Sequence, residues 1–319
     1  MAGPLIAVTE NIFPTLDPAK AALARLNPTL RMAKSTGAED ILEVARDADA
    51  ILVTYAKLPR DLIMQLTRCK AIGRFGLGVD NIDLPACKEK GIAVNYVPDY
   101  CIHEVSDHAM AMLLALIRKI PLSNKVVQAG RWEMPVVVPI RRIQGTVLGL
   151  LGFGNIPRLV APKAKAFGMK VIAFDPYAKA ELFKAAGVES VDFDTLLKTS
   201  DYISVHAPHT PQTRGMVNAA AFAKIKKGAY IVNTARGPLI DEPALIAALD
   251  SGQVGGAALD VVVVEPLPKD SPLLGRDKVI LTPHTGFYSI EALDELQSKC
   301  ASDVARVLSG DKAVYPISA

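Results

Sequence analysis

Three polar side chains, Arg236, Glu265 and His284, follow apolar segments that have the character of buried strands. Arginine offers a forked set of donors that matches a carboxylate. Histidine can give a proton to an oxygen, or take one, near neutral pH, and a neighbouring carboxylate favours its charged form and fixes its tautomer. With a nicotinamide cofactor nearby, these groups predict the reduction of a 2-oxo acid and the reverse oxidation.

Each of the three residues also has a structural interpretation. Arg236 could belong to a surface turn that its Gly-Pro neighbours favour, and Glu265 could be solvated. A single histidine after a strand is more often structural than catalytic. Their joint placement favours the catalytic interpretation, because the carboxyl ends of parallel strands share one edge of a sheet, where ligands bind.

Residues 146–175 supply the candidate cofactor site. An apolar run ends before Gly152, a helical pattern follows Gly154, and a second apolar run ends at Asp175, 21 positions after Gly154. This order predicts a strand–helix–strand unit in which Gly152 permits the turn and Gly154 lets the main chain approach a pyrophosphate. Asp175 falls where an acid accepts hydrogen bonds from the adenosine ribose, which predicts NAD rather than NADP. The flanking strands and Asp175 strengthen a glycine pattern that is weak evidence by itself.

Pro157 occupies the position of the third glycine of this pattern. Proline is tolerated in the first turn of a helix, because the amide hydrogen that it lacks has no helical partner there. We therefore expect the helix to begin normally. We also expect looser packing of the helix on the strand and weaker binding of the cofactor.

These residues must be positioned by strands and helices that alternate along the chain, a pattern that predicts an α/β fold with parallel, doubly wound sheets. The predicted strands lie at residues 5–8, 49–54, 71–75, 147–151, 202–206, 229–233, 256–261 and 279–282. The predicted helices lie at residues 19–26, 61–69, 102–120, 218–226, 242–251 and 289–308, and residues 121–145 are predicted to form a loop. His103 and His108 are expected on the polar side of the long helix.

The composition fits two domains, since 319 residues suffice for more than one core. No apolar run approaches the roughly 18 residues of a membrane span, and the first residues lack the pattern of a secretory signal. A net charge of +3 without basic blocks argues against nucleic acid as a partner. Four cysteines without paired spacing indicate reduced thiols in a cytoplasmic protein. His206 and His209 lack further ligands at suitable spacing, so no metal site is predicted.

Six ordered motifs resemble the D-isomer-specific 2-hydroxyacid dehydrogenase family over nearly the whole chain. They lie at residues 73–83, 152–156, 206–213, 233–237, 260–266 and 282–286. The resemblance implies two Rossmann-like domains with the active site in a cleft between them. Residues 1–98 and 287–319 would form a flavodoxin-like substrate domain, and residues 99–286 an NAD-binding domain. It also implies a homodimer to which the helix beginning at Ile102 contributes.

The resemblance further implies roles for individual residues. Arg236 would hold the carboxylate and keto oxygen of a small 2-oxo acid, His284 would exchange the proton, and Glu265 would support His284. The implied cofactor-binding residues are Gly152, Gly154, Asn155, Ile156, Asp175, His206, Pro208, Thr213, Thr234, Arg236, Asp260, His284 and Gly286. The expected substrate-binding residues are Tyr55, Leu77, Gly78, Arg236 and His284.

Two alternatives stay open. The loop at residues 76–81 also fits an ordinary turn capped by Asp80 or Asn81. Residues 55–57 and 97–101 look closer to bacterial relatives of the C-terminal-binding protein than to typical phosphoglycerate dehydrogenases. The chain could therefore be a dinucleotide-sensing scaffold that acts through protein partners, for which an exposed apolar groove would be needed.

Overall fold

The structure, a computed structural model, describes residues 3–317. The chain forms two compact units. The first comprises the residues up to Cys101 together with those from Tyr288 onward, and the second comprises Ile102–Phe287. The family resemblance implies boundaries at residues 98/99 and 286/287.

The segment after Pro98 belongs to the first unit because Asp99 ties it to the last helix and the C-terminal tail. The Asp99 carboxylate accepts hydrogen bonds from Lys299 at 2.9 Å and from the Tyr315 hydroxyl at 2.9 Å. Its pKa is lowered, since these two hydrogen bonds and the lysine charge outweigh the opposing effect of burial.

The first unit is built on a five-stranded parallel sheet with the order β2-β1-β3-β4-β5, the flavodoxin-like order. Its strands are β1 (Leu5–Val8), β2 (Thr29–Met32), β3 (Ala50–Val53), β4 (Ala71–Arg74) and β5 (Ala93–Asn95). Its helices are α1 (Asp17–Leu23), α2 (Ala38–Ala45), α3 (Arg60–Ile63), α4 (Leu84–Glu89) and α12 (Ile290–Leu308). Every residue of β3 is buried, as expected for a parallel strand covered on both faces.

The helix α12 packs on α1 and on β4. Ser289 caps its start by accepting a hydrogen bond from the Ala292 amide at 2.9 Å. Where α12 crosses β4, a Cβ atom on Gly73 would lie 2.7 Å from Val304 and 2.8 Å from the Cys300 sulfur. The close approach of helix and strand therefore depends on a glycine at this position.

The second unit is built on a seven-stranded parallel sheet with the order β12-β11-β10-β9-β6-β7-β8. Its strands are β6 (Val147–Leu151), β7 (Lys170–Phe174), β8 (Glu189–Ser190), β9 (Tyr202–Val205), β10 (Ala229–Asn233), β11 (Val254–Leu259) and β12 (Val279–Leu281). Its helices are α5 (Ile102–Ile117), α6 (Ile120–Gln128), α7 (Asn155–Ala166), α8 (Ala180–Ala186), α9 (Phe193–Thr199), α10 (Ala219–Lys224) and α11 (Glu242–Asp250). The predicted α/β class with parallel, doubly wound sheets is confirmed, and the strand order reverses between β6 and β9.

The predicted helix over residues 102–120 and the predicted loop over 121–145 are both wrong in their bounds. The helix α5 ends at Ile117, and α6 begins at Ile120 after Lys119, which adopts a left-handed conformation with φ 53°. The cause is Pro121, whose ring would clash with the carbonyl of Ile117 in a continuous helix.

Among other differences, one edge strand was missed, and one helix is shorter than predicted. The edge strand β2 is mostly exposed, and the predicted helix over residues 61–69 is reduced to the four residues Arg60–Ile63. Within residues 3–317, no helix is both long enough and apolar enough to cross a membrane. Within the same residues, none of the four cysteines forms a disulfide bond.

The central strands of the first unit should dominate its stability. Ile72 on β4 is fully buried, whereas Ile290 at the start of α12 is 70% exposed. We expect Ile72→Ala to lower the free energy of unfolding by about 2–5 kcal/mol, because it removes buried methyl groups and leaves a cavity. The matched change Ile290→Ala should cost less than about 0.5 kcal/mol. Urea unfolding followed by far-ultraviolet circular dichroism measures both, and equal losses would contradict the assigned core.

Candidate active site

The turn after β6 meets the turn after β9 at the point where the strand order reverses. Gly152 has a φ of +96°, and a Cβ atom on it would lie 2.9 Å from the Ala207 amide nitrogen and 2.9 Å from the His206 carbonyl carbon. Only glycine satisfies both the backbone angle and this close approach. Reversal points of this kind open a crevice beyond the strand ends, where ligands bind.

The start of α7 is arranged to receive an anion. Gly154 immediately precedes the helix, and a Cβ atom built on it would meet open space. The Arg158 guanidinium donates to the Gly154 carbonyl at 3.1 Å and to the Asn155 side chain, which adds positive charge to that of the helix start. Pro157 is buried in the first turn, so the prediction that it permits the helix to begin is confirmed.

Asp175, at the end of β7, fastens the glycine-rich turn to that strand. One carboxylate oxygen accepts the Phe153 amide at 2.8 Å, and the other accepts the amides of Tyr177 at 2.9 Å and Ala178 at 3.1 Å. A carboxylate has about four acceptor positions. Three are filled by the main chain, which leaves acceptor capacity on the Phe153-bound oxygen for a ribose hydroxyl.

The loop after β9 carries three of the predicted cofactor residues. The Thr213 hydroxyl donates to the Pro208 carbonyl at 2.6 Å and so closes the loop on itself. His206 Nε2 lies 2.8 Å from the Ser204 hydroxyl, and desolvation by the surrounding protein lowers the pKa of the imidazole to about 3. The neutral His206 ring can therefore contact a ligand without adding charge.

Two buried polar atoms at this sheet edge have no hydrogen-bond partner among residues 3–317. They are the Thr234 hydroxyl, just after β10, and His209 Nε2, in the loop after β9. A buried polar atom without a partner costs about 1–3 kcal/mol, so both atoms fit a site completed by a polar ligand such as a dinucleotide. Thr234 is a predicted cofactor residue, whereas His209 was considered only as a metal ligand. Within residues 3–317, no group of three His, Cys, Asp or Glu side chains could hold a metal ion.

His284 and Glu265 form a directly bonded pair. His284 Nδ1 lies 2.7 Å from one Glu265 carboxylate oxygen, and the other oxygen accepts the Val262 amide at 3.1 Å. Burial by itself would raise the pKa of Glu265. The hydrogen bond and charge of His284, the Val262 amide and the charge of Arg236 outweigh burial and lower that pKa. Glu265 is therefore ionised at neutral pH, and its carboxylate engages Nδ1 of the His284 ring.

Arg236 is brought toward this pair by the turn that follows β10. The Asn233 side chain donates to the Arg236 carbonyl at 2.9 Å and accepts the Ala235 amide at 3.0 Å, which fixes the turn. A Cβ atom on Gly237 would lie 2.0 Å from the backbone carbonyl of Val262, so this turn packs directly on the segment that leads to Glu265. The structure thus brings together Arg236, Glu265 and His284.

Asp260, at the end of β11, supports the turn that carries His284. Its carboxylate accepts the Thr282 hydroxyl at 2.5 Å and the amides of Thr285 and Gly286, each at 2.9 Å. The Asp260 side chain is 2% exposed, and burial alone would raise its pKa, but these donors and His108 lower it. Asp260 and Gly286 remain predicted cofactor contacts, with the Asp260 carboxylate directed at its own chain.

His108 contributes to this arrangement, contrary to the expectation that it lies on the polar side of its helix. Its Nε2 is 3.0 Å from the Thr282 hydroxyl and 3.4 Å from an Asp260 oxygen. His103, by contrast, is exposed. The contacts of His108 are not evident from the sequence because its partners lie more than 150 residues away, although its position four residues before Met112, on the buried face of α5, is a usable signal.

The predicted substrate residues of the first unit follow the carboxyl ends of β3 and β4. Tyr55 is 45% exposed and Leu77 is 38% exposed, and Gly78 is partly exposed. Glu10, after β1, accepts the amides of Tyr55 and, at 2.8 Å, of Ala56, so the loop after β3 is fixed by a carboxylate.

The suggestion that Asp80 or Asn81 caps the next helix is wrong. Asp83 caps α4 by accepting the Ala86 amide at 2.9 Å. The Asn81 side chain instead donates to the Ala56 carbonyl at 2.7 Å and thereby joins the loops after β3 and β4.

Comparison with known proteins adds an independent line of evidence. The family model described as "D-isomer specific 2-hydroxyacid dehydrogenase, NAD binding domain" matches residues 110–286. D-3-phosphoglycerate dehydrogenase from Methanocaldococcus jannaschii is 43% identical over 277 residues, which cover 86% of this chain and 52% of the relative. The Bacillus subtilis enzyme of the same name is 40% identical, covering 82% of this chain and 50% of the relative. The chain thus spans about half the length of these curated relatives.

Two solved structures extend the likeness over both units. A D-lactate dehydrogenase from Aquifex aeolicus, complexed with NAD and lactic acid, superposes with a TM-score of 0.86 at 30% identity and covers 96% of each chain. A glyoxylate reductase from Paecilomyes thermophila superposes with a TM-score of 0.90 at 31% identity and covers 99% of each chain.

The buried carboxylate of Asp260 gives a pH-dependent prediction. Its lowered pKa means that its contribution to stability is present above the ordinary pKa of an aspartate and is lost as the pH falls through the lower, folded-state value. We expect Asp260→Asn to lower the free energy of unfolding by about 2 kcal/mol at pH 7, and this difference to shrink in acid. Urea unfolding at several pH values measures it, with exposed Asp270→Asn as the control. A difference that grows in acid would contradict the assignment.

Proposed function

Because this chain belongs to the D-isomer specific 2-hydroxyacid dehydrogenase family, we propose that it is an NAD(H)-dependent oxidoreductase that interconverts a small 2-oxo acid and the (R)-2-hydroxy acid. The observation that carries the proposal is the 2.7 Å contact between His284 Nδ1 and Glu265, beside the charge of Arg236. These groups follow strands of the same parallel sheet that presents the glycine-rich turn of the cofactor site.

The residues that would hold the cofactor are those at the β6–β9 reversal. The amides at the start of α7, next to Gly154, would bind the pyrophosphate, and Asp175 would accept from the adenosine ribose. The partnerless Thr234 hydroxyl and His209 Nε2 would gain hydrogen bonds. When bound, the reduced nicotinamide supplies a hydride to C2 of the substrate.

The chain's own residues would do the rest of the chemistry. Arg236 would hold the substrate carboxylate and polarise the keto oxygen, since its guanidinium can make two parallel hydrogen bonds. His284 would transfer a proton from Nε2 to that oxygen as the hydride reaches C2, so that the ring is left neutral and the product carries a hydroxyl group. The Glu265 carboxylate, bonded to Nδ1, would stabilise the charged ring before transfer and fix its orientation.

Tyr55, Leu77 and Gly78 remain proposed substrate contacts, and the first unit remains the proposed substrate domain. Their exposure at the carboxyl edge of the five-stranded sheet is compatible with ligand binding. The four free cysteines support the further proposal that the protein works in the cytoplasm.

The first test is the substitution His284→Ala. We expect turnover of NADH with glyoxylate, hydroxypyruvate or phenylpyruvate to fall by about 10²–10⁴-fold, because the proton donor is lost. NADH affinity, measured by fluorescence titration, should stay close to that of the wild type. His103→Ala, at an exposed position on α5, is the control. Unchanged turnover in His284→Ala would remove His284 from the mechanism, and no turnover by the wild type with any 2-oxo acid would favour the scaffold interpretation.

The second test concerns the cofactor. The negatively charged 2′-phosphate of NADPH would face the Asp175 carboxylate. We therefore expect kcat/KM for NADH to exceed that for NADPH by tenfold or more, equivalent to about 1.4 kcal/mol. Asp175→Asn should narrow this preference, whereas Glu181→Gln on the exposed face of α8 should leave it unchanged. Equal efficiency of the wild type with both cofactors would contradict the proposed role of Asp175.

We also propose that the protein is a homodimer. The helix α5 buries most of its apolar side chains within its own unit, but the segment that follows leaves large apolar side chains exposed. Ile120 is 56% exposed, Trp132 90%, Met134 73% and Val138 55%. An exposed apolar segment of this kind is typical of an interface, and a second copy of the chain would cover it.

The third test is therefore the molar mass in solution. Light scattering after size-exclusion chromatography should give twice the mass of the chain, and the double change Trp132→Glu and Met134→Glu should shift the protein toward the monomer. Val314→Glu, in the first unit and 60% exposed, is the control. A wild-type monomer at micromolar concentration would contradict the proposal.

A further inference from the structure

The backbone of His284 is held in an unfavourable conformation. Its φ of 53° lies in the left-handed region, where a residue with a side chain costs about 1–3 kcal/mol. Locally, the His284 amide donates to the Thr282 carbonyl at 3.0 Å. Contacts with a distant part of the chain hold this backbone conformation as well.

Those contacts come from Asp260. The Asp260 carbonyl accepts the His284 amide at 2.8 Å, and the Asp260 carboxylate accepts the next two amides, of Thr285 and Gly286. Three successive amides thus point at one residue at the end of β11. A Cβ atom on Gly286 would lie 2.9 Å from the same carboxylate, which indicates how closely the turn wraps around it.

Asp260 is in turn oriented from α5. A hydroxyl group has a single proton to donate, and at 2.5 Å the Thr282 hydroxyl gives it to Asp260. In the 3.0 Å contact between the Thr282 hydroxyl and His108, the donor must therefore be His108 Nε2. The same nitrogen lies 3.4 Å from the Asp260 oxygen, so its proton faces both acceptors.

We infer that His108 is a positioning residue for the proposed reaction. Through Thr282 and Asp260 it fixes the turn at residues 284–286 and thereby directs the His284 ring toward Glu265. We refer to His108, Thr282 and Asp260 as the clamp. This role rests on the proposed function of His284, but the contacts that define the clamp are independent of it.

The clamp requires a hydrogen-bond donor at residue 108, whereas general packing would require only a side chain of similar volume. Phenylalanine would fill much of the same volume without a donor, whereas glutamine would restore an N–H donor. Loss of the donor would leave Thr282 and the buried Asp260 carboxylate less constrained, and with them the turn that carries His284. Small displacements of a catalytic group can lower the rate by up to about 100-fold.

The test measures the wild type, His108→Phe and His108→Gln, with His103→Phe as the matched control on the exposed side of α5. We expect kcat in His108→Phe to fall by about tenfold, with NADH affinity changed by less than about twofold, and most of kcat to be recovered in His108→Gln. Amide hydrogen exchange, followed by mass spectrometry, should accelerate in residues 282–287 of His108→Phe and stay unchanged in residues 147–166.

Two outcomes would overturn the inference. One is His108→Phe with wild-type kcat and wild-type exchange in residues 282–287. The other is acceleration of exchange throughout the second unit, which would indicate a general structural role. If His108→Phe fails to fold, Thr282→Val compared with Thr282→Ser tests the same link. If the wild type reduces no 2-oxo acid, the proposed function fails, and hydrogen exchange still decides whether the clamp exists.

Discussion

The parallel direction of the strands in the second unit is the constraint on which the candidate active site depends. Parallel strands deliver all their carboxyl ends to one edge, so residues far apart in the chain follow neighbouring strands. Gly152 follows β6, Arg236 follows β10, Asp260 follows β11, and His284 comes shortly after β12. The sheet therefore collects a turn suited to a dinucleotide and the groups suited to acid–base chemistry without any local clustering in the sequence.

Two carboxylates at this edge serve different purposes because their surroundings differ. Asp260 is buried and its oxygens are bonded to its own chain, so its charge organises the turn at residues 284–286. Glu265 is more exposed and bonds directly to the His284 ring. In both cases burial by itself would raise the carboxyl pKa, but hydrogen bonds lower it, and for Glu265 the charges of His284 and Arg236 add to this lowering. The network is sensitive to deletion of one partner, since an uncompensated buried charge is costly.

The sequence was informative wherever one residue type was required by local geometry. The glycine at 152 needs a positive φ and space beside residues 206–207, and Pro157 is compatible with a first helical turn, so both could be interpreted without coordinates. The alternation of predicted strands and helices along the chain also predicted the parallel sheets. Boundaries were predicted less well, because the division between α5 and α6 depends on the clash of one proline with a carbonyl.

Long-range contacts were beyond the reach of sequence patterns. His108 lies on a helix whose apolar period is strong, and nothing near it in the chain identifies Thr282 as its partner. Likewise, nothing near Asp99 in the chain identifies Lys299 and Tyr315 as its partners. These contacts tie the segment after Pro98 to the first unit. Such pairs are specified by the packing of elements already formed, and only the folded chain reveals them.

We propose that the edge bearing His284, Glu265 and Arg236 performs (R)-specific reduction of a 2-oxo acid. In the most direct measurement, the protein reacts with NADH that carries deuterium at both C4 positions and with a 2-oxo acid such as phenylpyruvate, and chiral chromatography with mass spectrometry then identifies the product. The proposed mechanism predicts the (R)-2-hydroxy acid with one deuterium at C2. Formation of the (S) product, or consumption of the 2-oxo acid without deuterium at C2, would contradict it.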